Sequence, residues 1–143
     1  MRTGKVALYE DLKRHILTME LDPDELLDEA ALTAQYGLSR TPVRGVFQRL
    51  AGEGYLEIVE KRGVRVIPMS HSTLRNFFLV APMIYAATGR LAVQHYKPAQ
   101  LKALKETQKR FRKAVQTRDA EALALENNRF HEIMGEMAAN PYL

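Results

Sequence analysis

Apolar side chains recur along the chain in two periods, and each period predicts an element. Leu8, Leu12 and Ile16 stand at helical spacing, which predicts an amphipathic helix over about 5–19. The acidic, proline-bearing stretch Leu21-Asp22-Pro23-Asp24 interrupts it. Asp28 is placed to cap a second helix over about 29–36, and Gly37 suits the left-handed position that closes one. Ser39 is placed to cap a third helix, which carries Pro42 in its first turn, where a missing N–H costs little. That helix runs to about Ala51 and ends at Gly52 and Gly54. From Leu56 the period falls to two. Leu56 and Ile58, then Val64 and Val66, alternate with polar neighbours around Glu60-Lys61-Arg62-Gly63, the pattern of a β-hairpin with a basic tip. Pro68-Met69-Ser70-His71-Ser72 marks a boundary, and helical periodicity then resumes to the end. One helix is expected over about 73–95, with Pro82 kinking or splitting it. A second is expected over about 99–117, with Leu101, Leu104, Phe111 and Val115 on one stripe. A third, capped by Asp119, is expected over about 120–138, with Leu123, Phe130, Met134 and Met137 inward.

The fold class that follows is mainly α. A winged helix-turn-helix of three helices plus a β-hairpin occupies residues 1–68, a short hinge 69–72, and an incomplete antiparallel helical bundle 73–143. An incomplete bundle leaves apolar faces, with Met83, Ile84, Leu91, Met134 and Met137 expected to seek a partner chain.

Composition narrows the chemistry. The 143 residues contain no cysteine, which excludes disulfides, thiolate-held metal and thiol catalysis. No apolar run approaches the roughly 18–20 residues of a membrane span, and the N-terminus lacks an apolar signal segment. A soluble, cytoplasmic protein without a membrane partner is expected. The net charge of +4 is unevenly placed: residues 1–69 sum to −1 and residues 70–143 to +5. DNA binding therefore cannot rest on bulk charge in the first half and must rest on where a few arginines sit. The stretch Lys97–Arg118 holds eight basic residues and one acid, Glu106. It is either a second nucleic-acid surface or, as such runs most often are, the solvated face of an amphipathic helix.

At about 100° per residue from Arg40, the third helix gathers Val43, Val46, Phe47 and Leu50 into a buried sector about 100° wide. Arg40, Thr41, Arg44, Gln48, Gly45 and Arg49 fan over the other side, with no acid among them. A major groove accepts such a helix and offers guanine O6 and N7 to a bidentate arginine. Arg40 and Arg44 are the candidates for base readout. Ser39, Thr41 and Gln48 would position the helix on phosphates, with Pro42 in the same contacting turn. Arg49, half a turn away from Arg40, reaches a flanking phosphate at most. Lys61, Arg62 and Gly63 of the hairpin suit the backbone or the minor groove. The alternative is a winged-helix protein-interaction module whose arginines meet an acidic partner. Catalysis has no constellation: Ser39 has no activating histidine, and no paired carboxylates, Gly-rich phosphate loop or HExxH occurs.

The stretches Leu8-Tyr9-Glu10-Asp11-Leu12, Gly37-Leu38-Ser39-Arg40-Thr41-Pro42-Val43-Arg44, Gln48-Arg49-Leu50 and Glu53-Gly54-Tyr55-Leu56 closely resemble the N-terminal domain of GntR-family bacterial transcription regulators. The resemblance implies a homodimer on a pseudo-palindromic operator of double-stranded DNA, one recognition helix per half-site. It also has departures. Gly45-Val46 stands where the family usually has Glu-Ala, Asp28-Glu29-Ala30-Ala31 where it often has Glu-Arg, and Pro23-Asp24 where it has Pro-Gly.

Residues 73–143 resemble the start of the FCD ligand-binding domain of the FadR subfamily through Asn127-Asn128-Arg129-Phe130-His131 and Asn140-Pro141-Tyr142-Leu143. That resemblance implies a small-molecule effector, a carboxylate, and a divalent metal, zinc or nickel, in the complete domain. Asn127 and His131 would be two of its ligands, and none is certain in this chain. Asn127 and His131 share a helix face at i and i+4 and are expected on the inward stripe. Ala81 and Tyr85 replace an arginine and a glutamate usual in the subfamily, and His71 and His95 match none of its ligand positions. The chain therefore reads as truncated within this domain, and its dimer as open to domain swapping. Effector binding would act by respacing the two recognition helices against half-sites roughly 34 Å apart.

Overall fold

The computed structural model describes residues 4–68 and 70–143, and the chain divides into two compact units, Met1–Met69 and Ser70–Leu143. Met69 of the expected hinge, and residues 1–3 of the expected first domain, lie outside the described residues.

In the first unit, α1 spans Gly4–Leu17, α2 Glu29–Tyr36 and α3 Arg40–Gly52. Strands β1 (Leu26–Leu27), β2 (Leu56–Val59) and β3 (Gly63–Val66) form an antiparallel sheet in the order β1-β3-β2. The hairpin pairs Leu56 with Val66 and Val59 with Gly63. The core is the one the helical period drew: Leu8 and Leu12 of α1 meet Val43, Val46, Phe47 and Leu50 of α3, closed by Leu56 and Val66 of the hairpin. Two features carry α3 into position. Asp28 accepts from Ala30 N at 2.8 Å and Ala31 N at 3.0 Å, which starts α2, and Gly37 at φ 61° ends it. Leu38 then lies against the core and α3 begins two residues on.

The sequence did not disclose β1, which is two residues long and too short for any period. Its neighbour Asp24 sits at φ 74°, a left-handed conformation in which glycine is unstrained. Here the carboxylate at that position holds Arg65 of β3 at 2.6 Å, and Arg65 also donates to Glu57 of β2 at 2.8 Å. One guanidinium thus ties the loop before α2 to both strands of the hairpin.

In the second unit, α4 spans His71–His95, α5 Pro98–Thr117 and α6 Ala120–Ala138. Ser70 caps α4, accepting from Thr73 N at 3.1 Å, so His71 and Ser72, expected in the hinge, belong to the helix. Pro82 does not split α4. Helix α6 packs on both α4 and α5, and Ala92, Ile133 and Met137 form its core. Met137 is buried, as its place on the inward stripe of α6 implied and against its place among the partner-seeking residues, whereas Val115, expected on the inner stripe of α5, is exposed. By length and composition α4 is apolar enough to cross a membrane, although Arg75, Arg90 and Pro82 interrupt it; the expectation that no segment reaches that length fails for this helix. Its first ten residues are all exposed.

Candidate nucleic-acid interface

The buried stripe of α3 fixes which side chains its other face presents. Val43, Val46, Phe47 and Leu50 are all buried, and Ser39, Arg40, Thr41, Arg44, Gln48 and Arg49 are all exposed, with Pro42 half-buried beside them. Ser39 occupies the N-cap position but its hydroxyl makes no cap bond, contrary to the expected capping role. Ser39, Arg40 and Thr41 are exposed at this helix N-terminus, which has no side-chain cap, and a helix N-terminus favours an anion. Gly45 has room for a side chain: a Cβ there would lie 3.7 Å from Lys5 Nζ, an ordinary contact.

The arginines differ in what holds them. Among the described residues, Arg40 has no ion pair or hydrogen bond with another side chain. Arg44 Nε donates to both carboxylate oxygens of Glu29, at 3.0 and 3.1 Å. Glu29 opens α2, so an acid in its favourable first-turn position also reaches the exposed face of α3. Sequence spacing within α3 could not reveal this partner, because it comes from another helix. Arg49 is engaged elsewhere: Nε donates to Glu53 at 2.9 Å and the guanidinium lies 3.8 Å over the Tyr9 ring. Tyr9 in turn donates to the other Glu53 oxygen at 2.6 Å, which clamps the end of α3 to α1. Arg49 thus has an evident packing role.

The wing tip is open. Lys61 takes φ 61° and Gly63 φ 102°, which turns the chain between the strands, and Lys61, Arg62 and Gly63 are all exposed. Glu60 lies 4.0 Å from Lys61, with both side chains about nine-tenths exposed, a contact of little energetic consequence. Behind the face, Tyr36 donates to Asp11 at 2.9 Å, and burial together with that bond pushes its phenol up to about 12.

In the second unit a cavity of about 380 Å³ is lined by Tyr85, Thr88, Phe130, His131, Met134 and neighbouring apolar groups. The imidazole of His131 stacks on the Tyr85 ring at 4.6 Å, and burial holds its pKa below the usual 6.5. Asn127 does not line the cavity and is exposed. The buried stripe of α6 is centred on Ile133 and Met137, and Asn127 and His131 lie roughly 100–140° round the helix from that centre. Among the described residues no group of three His, Asp or Glu side chains converges on one point. One neutral imidazole and one exposed amide do not fit a divalent metal, which wants three or four donors. His71 and His95 are exposed.

Comparison with known proteins agrees with both units. Residues 5–66 match the bacterial regulatory proteins of the gntR family, and residues 83–143 match the FCD domain. The HTH-type transcriptional repressor RspR of Escherichia coli (strain K12) is 26% identical over 131 residues, covering 92% of this chain and 58% of that protein. The uncharacterized HTH-type transcriptional regulator YdhC of Bacillus subtilis (strain 168) is 23% identical over 140 residues, covering 96% of this chain and 62% of that protein. The chain thus spans about three-fifths of the length of these relatives. Among solved structures, E. coli McbR/YncC shares the fold with a TM-score of 0.75 at 24% identity, over 99% of this chain and 67% of that one. The two matched regions show a gntR-family helix-turn-helix domain at residues 5–66 followed by FCD-domain sequence at residues 83–143.

Proposed function

We propose that this chain is a DNA-binding transcription regulator of the FadR type and not an enzyme. Its helix α3 reads the major groove of a pseudo-palindromic operator, and a small-molecule effector in the helical unit modulates binding. The observation that carries the reading is the outer face of α3: Arg40, Thr41, Arg44 and Gln48 are exposed in a sector that runs from the edge of the four buried apolar residues round to the far side. In this reading Arg40 and Arg44 contact bases, Ser39, Thr41, Pro42 and Gln48 set the helix on the backbone, and Lys61, Arg62 and Gly63 follow the adjacent strand. Arg49 contributes at most a flanking phosphate. The regulator works in the cytoplasm as a homodimer, whether side by side or domain-swapped. Phe77, Phe78, Leu79 and Met83 of α4, all exposed and apolar, support a second copy as the occupant of that helix.

The effector site is the cavity beside His131. A carboxylate there would rely on Tyr85 and His131 as neutral donors, since the lining holds no Lys or Arg and Thr88 already donates to Ile84 O at 2.8 Å. Zinc or nickel belongs to the proposal only for a helical domain that supplies donors beyond Asn127 and His131. Effector binding would change the spacing of the two recognition helices in the dimer.

The test is selection of duplexes from a random pool, then salt titration of the selected duplex and a scrambled one, with sedimentation of the same complexes. The expected result is a two-fold-symmetric preferred sequence bound by two chains, with Arg44→Ala losing about 1–3 kcal/mol of discrimination at one base position per half-site. Equal binding of all duplexes by wild type and Arg44→Ala would leave the protein-interaction reading in its place.

A further inference from the structure

The unit that carries the recognition helix is net −1, and the helical unit is net +5. Non-specific attraction to DNA is set by the number of phosphates that cations neutralise. The larger reserve of cations therefore belongs to the helical unit, and its distribution there is not uniform. At about 100° per residue, Lys102, Lys105, Lys109, Arg112 and Lys113 of α5 fall within a sector about 100° wide. The helix buries the opposite side, through Thr107 and Ala114. All five cations are exposed. They run roughly 16 Å along the axis, five cations over about three turns. Glu106 is the one acid in this stretch, and its carboxylate is occupied by Lys109 Nζ at 2.8 Å. That bond and the surrounding cations hold its pKa below the usual carboxylate value. Arg110 stands outside the row and is spent on Glu126 of α6 at 2.6 Å. Among the described residues, Lys102, Lys105, Arg112 and Lys113 form no ion pair with an acid.

A solvated helix face of the ordinary kind interleaves acids with bases. This one separates them: of the six acids in the unit, four lie on α6 and one caps it. We infer that the α5 ridge is a second, sequence-independent DNA surface that binds the phosphate backbone of duplex DNA. Its complement is an extended polyanion, with about one charge per 3.4 Å along each strand, which a row of cations can follow and a single small anion cannot span. The ridge supplies the salt-dependent attraction that holds the protein on any duplex, while α3 supplies discrimination. The inference rests on the proposed DNA-binding function, and the two can fail separately.

The test is the slope of log K against log salt for the full chain on a duplex without an operator, in wild type and in Lys102→Gln/Lys105→Gln/Arg112→Gln/Lys113→Gln. The four side chains are exposed, and circular dichroism checks that the fold is kept. The expected slope becomes shallower by about 2–4, near 0.9 for each phosphate that is no longer neutralised, with at least a tenfold weaker association at about 0.1 M salt. Replacing Lys102, Lys105 and Lys113 by arginine instead keeps the wild-type slope. Arg40→Ala/Arg44→Ala loses sequence preference and keeps most of the non-specific slope. An unchanged slope in the glutamine variant overturns the ridge and leaves the α3 reading standing. Loss of slope in that variant, with no sequence preference in wild type, supports the ridge and overturns the regulator reading. Binding to phosphatidylglycerol vesicles that depends on the four cations, with the duplex slope unchanged, overturns DNA as the partner.

Discussion

Glu29 is the side chain that most restrains the proposed reading face. Its carboxylate takes both bonds from Arg44 Nε, so Arg44 must leave it, or share it, to meet guanine. A partly exposed pair of this kind is worth up to about 1 kcal/mol. Glu29→Gln is therefore expected to tighten binding to the selected duplex by up to about fivefold. Fluorescence anisotropy would measure it, and unchanged or weaker binding would mean that Glu29 orients Arg44 productively. At His131 the sign of a pH effect follows from burial. Its folded-state pKa is depressed below 6.5, so the folded unit resists protonation. Stability from this residue is complete above the unfolded value and is lost as pH falls through 6.5 and below. Denaturant midpoints of the helical unit should drop over that range in wild type and drop less in His131→Phe. The residue scale is where sequence was least informative. The buried stripe of α3 and the exposure of Arg40 follow from period alone. The Glu29–Arg44 pair, the Tyr9–Arg49–Glu53 clamp and the Tyr85–His131 stack join separate elements, and no local pattern encodes them.

Elements were far more legible, because their ends carry chemistry. Asp28 and Asp119 cap α2 and α6 through 2.8–3.0 Å bonds, as their placement before apolar periodic stretches implied. Ser39 has the same placement and makes no such bond. The three caps separate structure from function. Asp28→Ala and Asp119→Ala are each expected to cost about 1 kcal/mol of stability. Ser39→Ala is expected to leave the denaturation midpoint nearly unchanged while weakening duplex binding. A stability loss at Ser39 as large as at the two aspartates would assign it a capping role in solution. What the sequence hid at this scale is short or flanking. Strand β1 is two residues long. The inner stripe of α6 is centred on Ile133, which places Asn127 outside the core. An i, i+4 pair shares a helix face without that face having to be the buried one.

Across the molecule, charge is divided between two units, one net −1 with an acid-free α3 and one net +5 with a basic ridge, to which base recognition and non-specific attraction are respectively proposed to belong. The central claim concerns the first: that the outer face of α3 enters a duplex. Amide and arginine side-chain chemical-shift mapping during titration with the selected duplex tests it most directly. The expected result is large, saturating shifts at Ser39, Arg40, Thr41, Arg44 and Gln48, with smaller ones at Lys61, Arg62 and Gly63. Saturation with these residues unmoved, and the shifts confined to other elements, would contradict it.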